Sequence, residues 1–139
     1  MKNIYVIKSN TSAIPLVIER ILNQIQIKNR NTDNEYIFGI KITLNELLTN
    51  SVIHGNDCDE NKKVTINVIS NKQCITFKIT DQGKPFNGNY GEQKVDILKE
   101  NNRGIMICKH YCTNLKYDFI EGIGNSVVIK FDKNAKKKP

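Results

Sequence analysis

Apolar residues recur along this chain with two different periods, and the order of these periods predicts the elements of the fold. Residues 3–8 alternate weakly and predict a first strand. Ser12 is suited to cap a helix with Pro15 in its first turn, and a longer helix is predicted to start near Asn34 and to end at Gly55. The apolar faces of these helices consist of Ile18, Ile21, Leu22 and Ile25 in the first, and Ile37, Ile40, Leu44, Leu47, Leu48 and Val52 in the second.

Strand-like alternation accounts for much of the remaining chain. Four segments have apolar residues at every second position, which is typical of strands with one buried face. The segments 64–68 and 75–79 flank a turn at residues 70–72. The four segments are 64–68, 75–79, 115–119 and 127–131.

The chain between the second and third of these strands has a different composition. Residues 81–102 are rich in Gly and Asn, with a possible short helix at 95–99, and residues 104–111 are apolar enough for a buried helix. An irregular stretch of about 20 residues is long for a small domain and is typical of a ligand lid.

These elements predict an α/β (α+β) fold, because each strand has one apolar and one mixed face. Helices that cover one face of a mixed, mainly antiparallel sheet give a two-layer sandwich. A chain of 139 residues fits one domain, which we assign to residues 1–132, with residues 133–139 as a disordered basic tail.

The net charge of +7 raises the possibility of nucleic-acid binding. Four lysines of the tail account for more than half of it and leave +3 on residues 1–132. A mildly basic body suits a nucleotide or an acidic partner, so direct nucleic-acid binding is not expected.

No apolar run approaches the roughly 18 residues of a membrane span or forms a signal-peptide core, which predicts a cytoplasmic protein without membrane contact.

Cysteine spacing gives little support for a metal site. The chain has four cysteines and no Cys-x-x-Cys pair. Cys108 and Cys112 flank His110, but zinc sites usually contain a second, matching pair of ligands. Free thiols are therefore the favoured interpretation.

The long predicted helix carries the first patch of candidate chemistry. Glu46, Asn50 and His54 are four residues apart and therefore share one stripe of a helix. A carboxylate and a carboxamide one turn apart can hold a cation and a water beside a phosphate. The spacing also fits a solvated helix face, which stays open as an alternative.

Two further patches follow along the chain. Asp81 stands at the end of a strand and can accept from an exocyclic amine such as that of adenine, while Gly83 lets the backbone approach a flat base. Arg103 and Gly104 precede an apolar helix, where free amides and the helix dipole favour phosphate. An ordinary turn and an ordinary helix start are the respective alternatives.

Taken together, the three patches resemble the sequence boxes of the GHKL (Bergerat-fold) ATPase superfamily. Glu46-x-x-x-Asn50 is similar to the N box of that superfamily, and Asp81-x-Gly83 to its G1 box. Residues 103–107 are similar to the G2 box. The boxes occur in the order and at the spacing that the superfamily shows.

Two more segments extend the resemblance to nearly the whole chain. Residues 124–129 are similar to the closing Gly-x-Thr/Ser-x-Val strand, and residues 49–55 to the anti-sigma factor serine-protein kinases of sporulation and stress. This resemblance implies ATP and Mg²⁺ as cofactors and phosphorylation of a STAS-type anti-anti-sigma protein. It also implies a sigma factor as the bound target and a homodimer.

The resemblance assigns a role to each matching residue. Glu46 is implied as the general base, Asn50 as the magnesium ligand and Asp81 as the acceptor for the adenine amine. The further nucleotide-binding residues that it implies are Gly83 beside the base, Arg103 and Gly104 at the phosphates, Ser126 at the adenine end, and His54.

Other functions fit parts of the pattern. A nucleotide-gated binding module would keep ATP binding without phosphoryl transfer. The catalytic domain of a sensor histidine kinase is disfavoured, because the chain has no helical hairpin with a phosphoaccepting His. Nucleic-acid binding through residues 133–139 would depend strongly on salt.

Overall fold

The computed structural model describes residues 2–28, 34–85, 91–93 and 112–132. In this part of the chain, two helices and six strands form, and a π-helical turn continues the second helix. The elements in chain order are β1 Lys2–Lys8, α1 Ala13–Lys28, α2 Asn34–Asn50, the π-helical turn Ser51–Gly55, β2 Lys63–Ser70, β3 Cys74–Thr80, β4 Gly91–Gln93, β5 Cys112–Ile120 and β6 Gly124–Asp132.

The two helices use the apolar faces that their spacing predicts. All the apolar residues expected on these faces are buried, including Val52 in the π-helical turn. At the start of α1, the backbone oxygen of Asn10 accepts from Ala13 N at 3.0 Å. The Asn10 Oδ1 atom accepts from both the amide and the hydroxyl of Ser12, at 2.9 and 2.8 Å. Asn10 therefore shapes the entry into the helix together with Ser12.

The strands form one sheet with the order β1-β2-β3-β6-β5-β4, and the pairings between these described strands are all antiparallel. Alternate residues of β2, such as Ile66 and Val68, are buried against the helices, whereas Ile69 on the other face is 47% exposed. Helices thus cover one face of the sheet, which confirms the two-layer α/β architecture.

One strand was not expected from the sequence. The Gly- and Asn-rich stretch at residues 81–102 contains β4, whose residues Gly91–Gln93 pair with Leu115–Tyr117 of β5. Its three residues show no apolar alternation, so its formation depends on the open edge that β5 offers. The helices expected at 95–99 and 104–111, and the tail at 133–139, lie outside the described residues.

An aromatic cluster anchors the second helix to the centre of the sheet. The rings of Tyr36 and Phe131 meet edge to face with centroids 6.3 Å apart, and those of Phe77 and Phe131 do so at 5.8 Å. The Tyr36 hydroxyl also donates to the backbone oxygen of Phe131 at 3.3 Å. Phe131 is therefore the central residue of this cluster.

Replacing Phe131 with alanine is expected to lower the free energy of unfolding by about 3–5 kcal/mol, because it leaves a cavity between the layers. Phe38→Ala is the matched control, since Phe38 is 45% exposed on the same helix as Tyr36. The control substitution is expected to lower the free energy of unfolding by less than about 1 kcal/mol. Urea unfolding measures both, and equal losses would contradict the central role of Phe131.

Candidate functional site

A narrow crevice lies where the end of α2 meets β3, β5 and β6. Its volume is about 10 Å³, which is room for about one water molecule. It brings together three residues that the sequence predicts for the site, on α2, after β3 and on β6. The polar lining consists of Asn50, Ser51, Asp81, Tyr117, Asn125 and Ser126.

The Asp81 carboxylate lies at the centre of this arrangement and is only 1% exposed. Its Oδ1 atom accepts from Gly83 N at 2.9 Å, from Asn125 N at 3.0 Å and from Asn125 Nδ2 at 3.1 Å. The Asp81 amide in turn donates to the backbone oxygen of Asn125 at 2.9 Å. A buried carboxylate requires such donors, and here all three of them reach the same oxygen.

The second oxygen of Asp81 faces the end of the helix layer. Among the described residues, no donor forms a hydrogen bond with Oδ2. A Cβ atom on Gly55 would overlap Oδ2, and one on Gly83 would overlap the Gly55 carbonyl oxygen. Both glycines are therefore required for the close approach of the π-helical turn to the chain after β3.

Asn125 was not singled out from the sequence as a site residue. Besides the two bonds to Asp81, its Nδ2 atom donates to the Lys84 backbone oxygen at 2.9 Å. One carboxamide therefore joins the start of β6 to both ends of the segment 81–84 and fixes the path of the chain as it leaves β3.

Asn56 is a second residue that the sequence analysis missed. It is fully buried after the π-helical turn, and its Nδ2 atom donates to Ser9 Oγ at 2.7 Å and to the Lys63 backbone oxygen at 3.0 Å. Its Oδ1 atom accepts from Gln82 N at 2.7 Å. These bonds connect the end of the helix layer to the end of β1, the start of β2 and the chain after β3.

The stripe predicted on α2 is present, but its members differ in exposure. Glu46 and Asn50 are half-buried on α2, whereas His54 is exposed in the π-helical turn. Asn50 lines the crevice, and Glu46 and His54 lie outside its lining. The structure therefore brings Asn50, but not the other two, into contact with the space beside Asp81.

Tyr117 connects β5 to the end of α2 and was expected from the sequence only as an apolar strand residue. Burial raises the pKa of Tyr117 above its ordinary value of 10.0, and a hydrogen bond with the Asn50 side chain acts in the opposite direction.

The remaining predicted residues divide into two groups. Ser126 is buried on β6, opposite Thr80 in the register with β3, and lines the crevice. Arg103 and Gly104 lie outside the described residues. Within the part of the chain that is described, no group of three or more His, Cys, Asp and Glu residues could hold a metal ion.

The family of the chain follows from comparison with known families. Residues 8–131 match the family model described as the histidine kinase-like ATPase domain. The chain belongs to this family. The match covers most of the chain and includes the second helix and β2, β3, β5 and most of β6. No curated protein matches this chain.

Membership of the histidine kinase-like ATPase family indicates ATP binding, and the donor set agrees with it. Asp81 offers an acceptor atom, Oδ2, that no described residue uses. Asn50 offers a carboxamide oxygen, a ligand type that Mg²⁺ accepts. The residues present therefore fit a magnesium–nucleotide complex.

None of the helices in the described part is long and apolar enough to span a membrane.

Replacing Asp81 with asparagine in this ATPase domain is expected to lower the free energy of unfolding by about 1 kcal/mol, because the amide oxygen can still accept the three bonds made to Oδ1. Asp81→Ala removes the acceptor and is expected to cost about 3 kcal/mol or more, since three buried donors lose their partner. Equilibrium urea unfolding separates the two outcomes. Equal losses in both variants would show that Oδ1 does not organise the segment.

Proposed function

We propose that this domain is an anti-sigma factor with serine-protein kinase activity, which binds Mg-ATP and phosphorylates an anti-anti-sigma protein. The observation that carries the proposal is the buried Asp81 carboxylate in the crevice that Asn50 also lines: three donors hold its Oδ1 atom, and no described residue uses its Oδ2 atom. An oriented acceptor is what the exocyclic amine of adenine requires, and a carboxamide oxygen is a ligand type that Mg²⁺ accepts.

The base end of the nucleotide would be bound by Asp81. Its Oδ2 atom accepts from the exocyclic amine of adenine, and its orientation is set because three donors hold Oδ1. Gly83 is assigned to the base on the resemblance of residues 81–83 to the G1 box. Ser126 lies on the neighbouring strand β6 and supports the same end.

The phosphate end would be bound from α2. Asn50 provides a carboxamide oxygen for Mg²⁺, which in proteins is commonly held by one or two side chains together with phosphate oxygens. When bound, the ion neutralises charge on the phosphates. Arg103 and Gly104 are assigned to the phosphates on the resemblance of their segment to the G2 box.

Glu46 would act as the general base, one helical turn before Asn50 and on the same face of α2. It takes the proton of the attacking serine hydroxyl as the serine oxygen bonds to the γ-phosphorus. The bond between that phosphorus and the oxygen of the ADP leaving group breaks. Most of the rate enhancement in such a transfer comes from positioning and charge neutralisation.

The partners belong to the same proposal. The similarity of residues 49–55 to anti-sigma factor kinases supports a STAS-type anti-anti-sigma protein as substrate and a sigma factor as the bound target, with a homodimer as the acting form. This function places the protein in the cytoplasm, where sigma factors act, and requires no direct contact with nucleic acid.

A second candidate function is a nucleotide-gated binding module without kinase activity. The observation that favours it is the position of Glu46, which lies outside the lining of the crevice, whereas Asn50, Asp81 and Ser126 line it. The residues for binding are thus assembled more fully than the residue for transfer. In this case the nucleotide would change partner affinity, and no phosphate would reach the partner.

Asp81→Asn is expected to raise the dissociation constant for ATP about 10–100-fold, because Oδ2 can no longer accept from the adenine amine. Equilibrium dialysis with labelled ATP measures the change. Inosine triphosphate, which has an oxygen in place of the amine, is the control ligand, and its affinity should change much less. An equal loss for both nucleotides would argue against recognition of the amine by Asp81.

Glu46→Gln is expected to reduce phosphate transfer to a partner serine by about 10²–10⁴-fold while ATP affinity stays the same, because only proton abstraction is removed. The assay uses labelled Mg-ATP and an anti-anti-sigma protein from the same genome.

Glu19→Gln is the matched control for this assay, since Glu19 is exposed on α1, and it should leave transfer unchanged. Transfer that persists in Glu46→Gln would exclude Glu46 as the base. ATP binding without any transfer by the unsubstituted protein would favour the nucleotide-gated module.

A further inference from the structure

The side chain of Asn125 bonds to both ends of the segment formed by residues 81–84. Its Nδ2 atom donates to Asp81 Oδ1 at 3.1 Å and to the Lys84 backbone oxygen at 2.9 Å. Both partners are acceptors, so they fix which end of the carboxamide points at them, since an amide oxygen in that place would face two other oxygens. Asn125 is only 3% exposed, and water therefore has little access to these bonds.

The other donors to Asp81 do not hold the far end of this segment. The Gly83 amide belongs to the segment itself, so its bond to Oδ1 closes a turn within the segment. The two backbone bonds between Asp81 and Asn125 attach the near end of the segment to β6. The bond that attaches the far end to β6, at the Lys84 oxygen, comes from the Asn125 side chain. This carboxamide therefore controls where Gly83 and Lys84 lie relative to Asp81.

The same carboxamide also contributes to the direction of the Asp81 carboxylate. A carboxylate is planar, so the bonds that fix its Oδ1 atom also fix the direction of Oδ2, which no described residue uses. A hydrogen bond to Oδ2 depends on that direction, because such bonds weaken steeply when donor and acceptor are misaligned. Asp81 and Asn125 both line the crevice, so the orientation is set beside the space in question.

We propose that Asn125 is a positioning residue for adenine recognition, whose carboxamide holds Asp81 and the segment 81–84 so that the site prefers a purine with an exocyclic amine. The inference rests on the proposed function, in which Asp81 accepts from that amine. Asn125 acts through Asp81, and it has no assigned bond to the nucleotide.

The test measures nucleotide preference, defined as the dissociation constant for inosine triphosphate divided by that for ATP, both from equilibrium dialysis. Asn125→Ala removes the two side-chain bonds and keeps the backbone bonds to Asp81. It is expected to lower the preference about tenfold, the lower end of the effect of losing a hydrogen bond to a charged group, because the bond to the amine is misaligned rather than removed. Affinity for inosine triphosphate should change much less.

A second variant and a control separate this effect from general loss of structure. Asn125→Leu fills the space without a donor and should lower the preference as Asn125→Ala does. Asn71→Ala is the matched control, because Asn71 Oδ1 also makes two bonds, from Gln73 N at 2.8 Å and from Cys74 N at 2.9 Å. Asn71 precedes β3, whereas Asp81 follows its other end, so this control should keep the preference of the unsubstituted protein. Thermal melting establishes that each variant is folded.

An Asp81→Asn background tests whether Asn125 acts through Asp81. Asp81→Asn is itself expected to lose most of the preference, since Oδ2 is no longer a carboxylate oxygen. In this background, Asn125→Ala should therefore produce little further change. The two substitutions are expected to be strongly non-additive, as for residues that share one interaction.

Three results would overturn the inference. An unchanged preference in both Asn125→Ala and Asn125→Leu would show that the carboxamide does not position the acceptor. An equal loss of affinity for both nucleotides would show a structural role only. A lack of preference for ATP in the unsubstituted protein would overturn the proposed role of Asp81 itself, and is recognised before any substitution of Asn125 is made.

Discussion

The rest of the site depends on how the buried carboxylate of Asp81 is satisfied. A carboxylate withdrawn from water needs donors, and its Oδ1 atom receives them from Gly83 and from the backbone and side chain of Asn125. These donors lie after β3 and on β6, so one group fixes the exit of β3 against its neighbouring strand. Gly55 allows the helix layer to reach the same carboxylate. The donors to Oδ1 thus join the exit of β3 to β6, and Oδ2, which no described residue uses, faces the helix layer.

Asn56 also connects the end of the helix layer to the chain after β3. The second helix ends in a π-helical turn, in which the Asn56 amide donates to the Ser51 carbonyl at 2.8 Å. Such turns are frequent at functional sites, where they alter the path of the backbone. The buried side chain of Asn56 then bonds to Ser9, Lys63 and Gln82. Since Gln82 follows Asp81 directly, these bonds also fix the distance between the helix end and the carboxylate, in addition to the close approach of Gly55 to Asp81.

The sequence predicted the helices and strands whose apolar residues recur with a regular period. Both helices and the strands β2, β3 and β6 have apolar periods that match their burial, and Asp81 belongs to a local Asp-x-Gly pattern. The strand at Gly91–Gln93 has no period of its own and forms through its pairing with β5. Asn56, Asn125 and Tyr117 contact partners distant in sequence; Asn125, for example, lies 44 positions after its partner Asp81. No local pattern could separate them from ordinary polar or strand residues.

The two ends of the proposed nucleotide site differ in how firmly the protein holds their residues, and this difference bears on the proposed function. At the base end, every contact of Asp81 is internal to the body and buried, so its geometry exists before any ligand arrives. At the proposed phosphate end, Asn50 and Glu46 are half-buried on a helix, and among the described residues Asn50 has a partner across the crevice, Tyr117, whereas Glu46 lies outside the crevice lining. Positioning contributes most where groups must meet a reacting atom, so transfer depends on the less constrained end. The proposed function therefore predicts that binding and transfer are separable, so that a substitution at one end leaves the other intact.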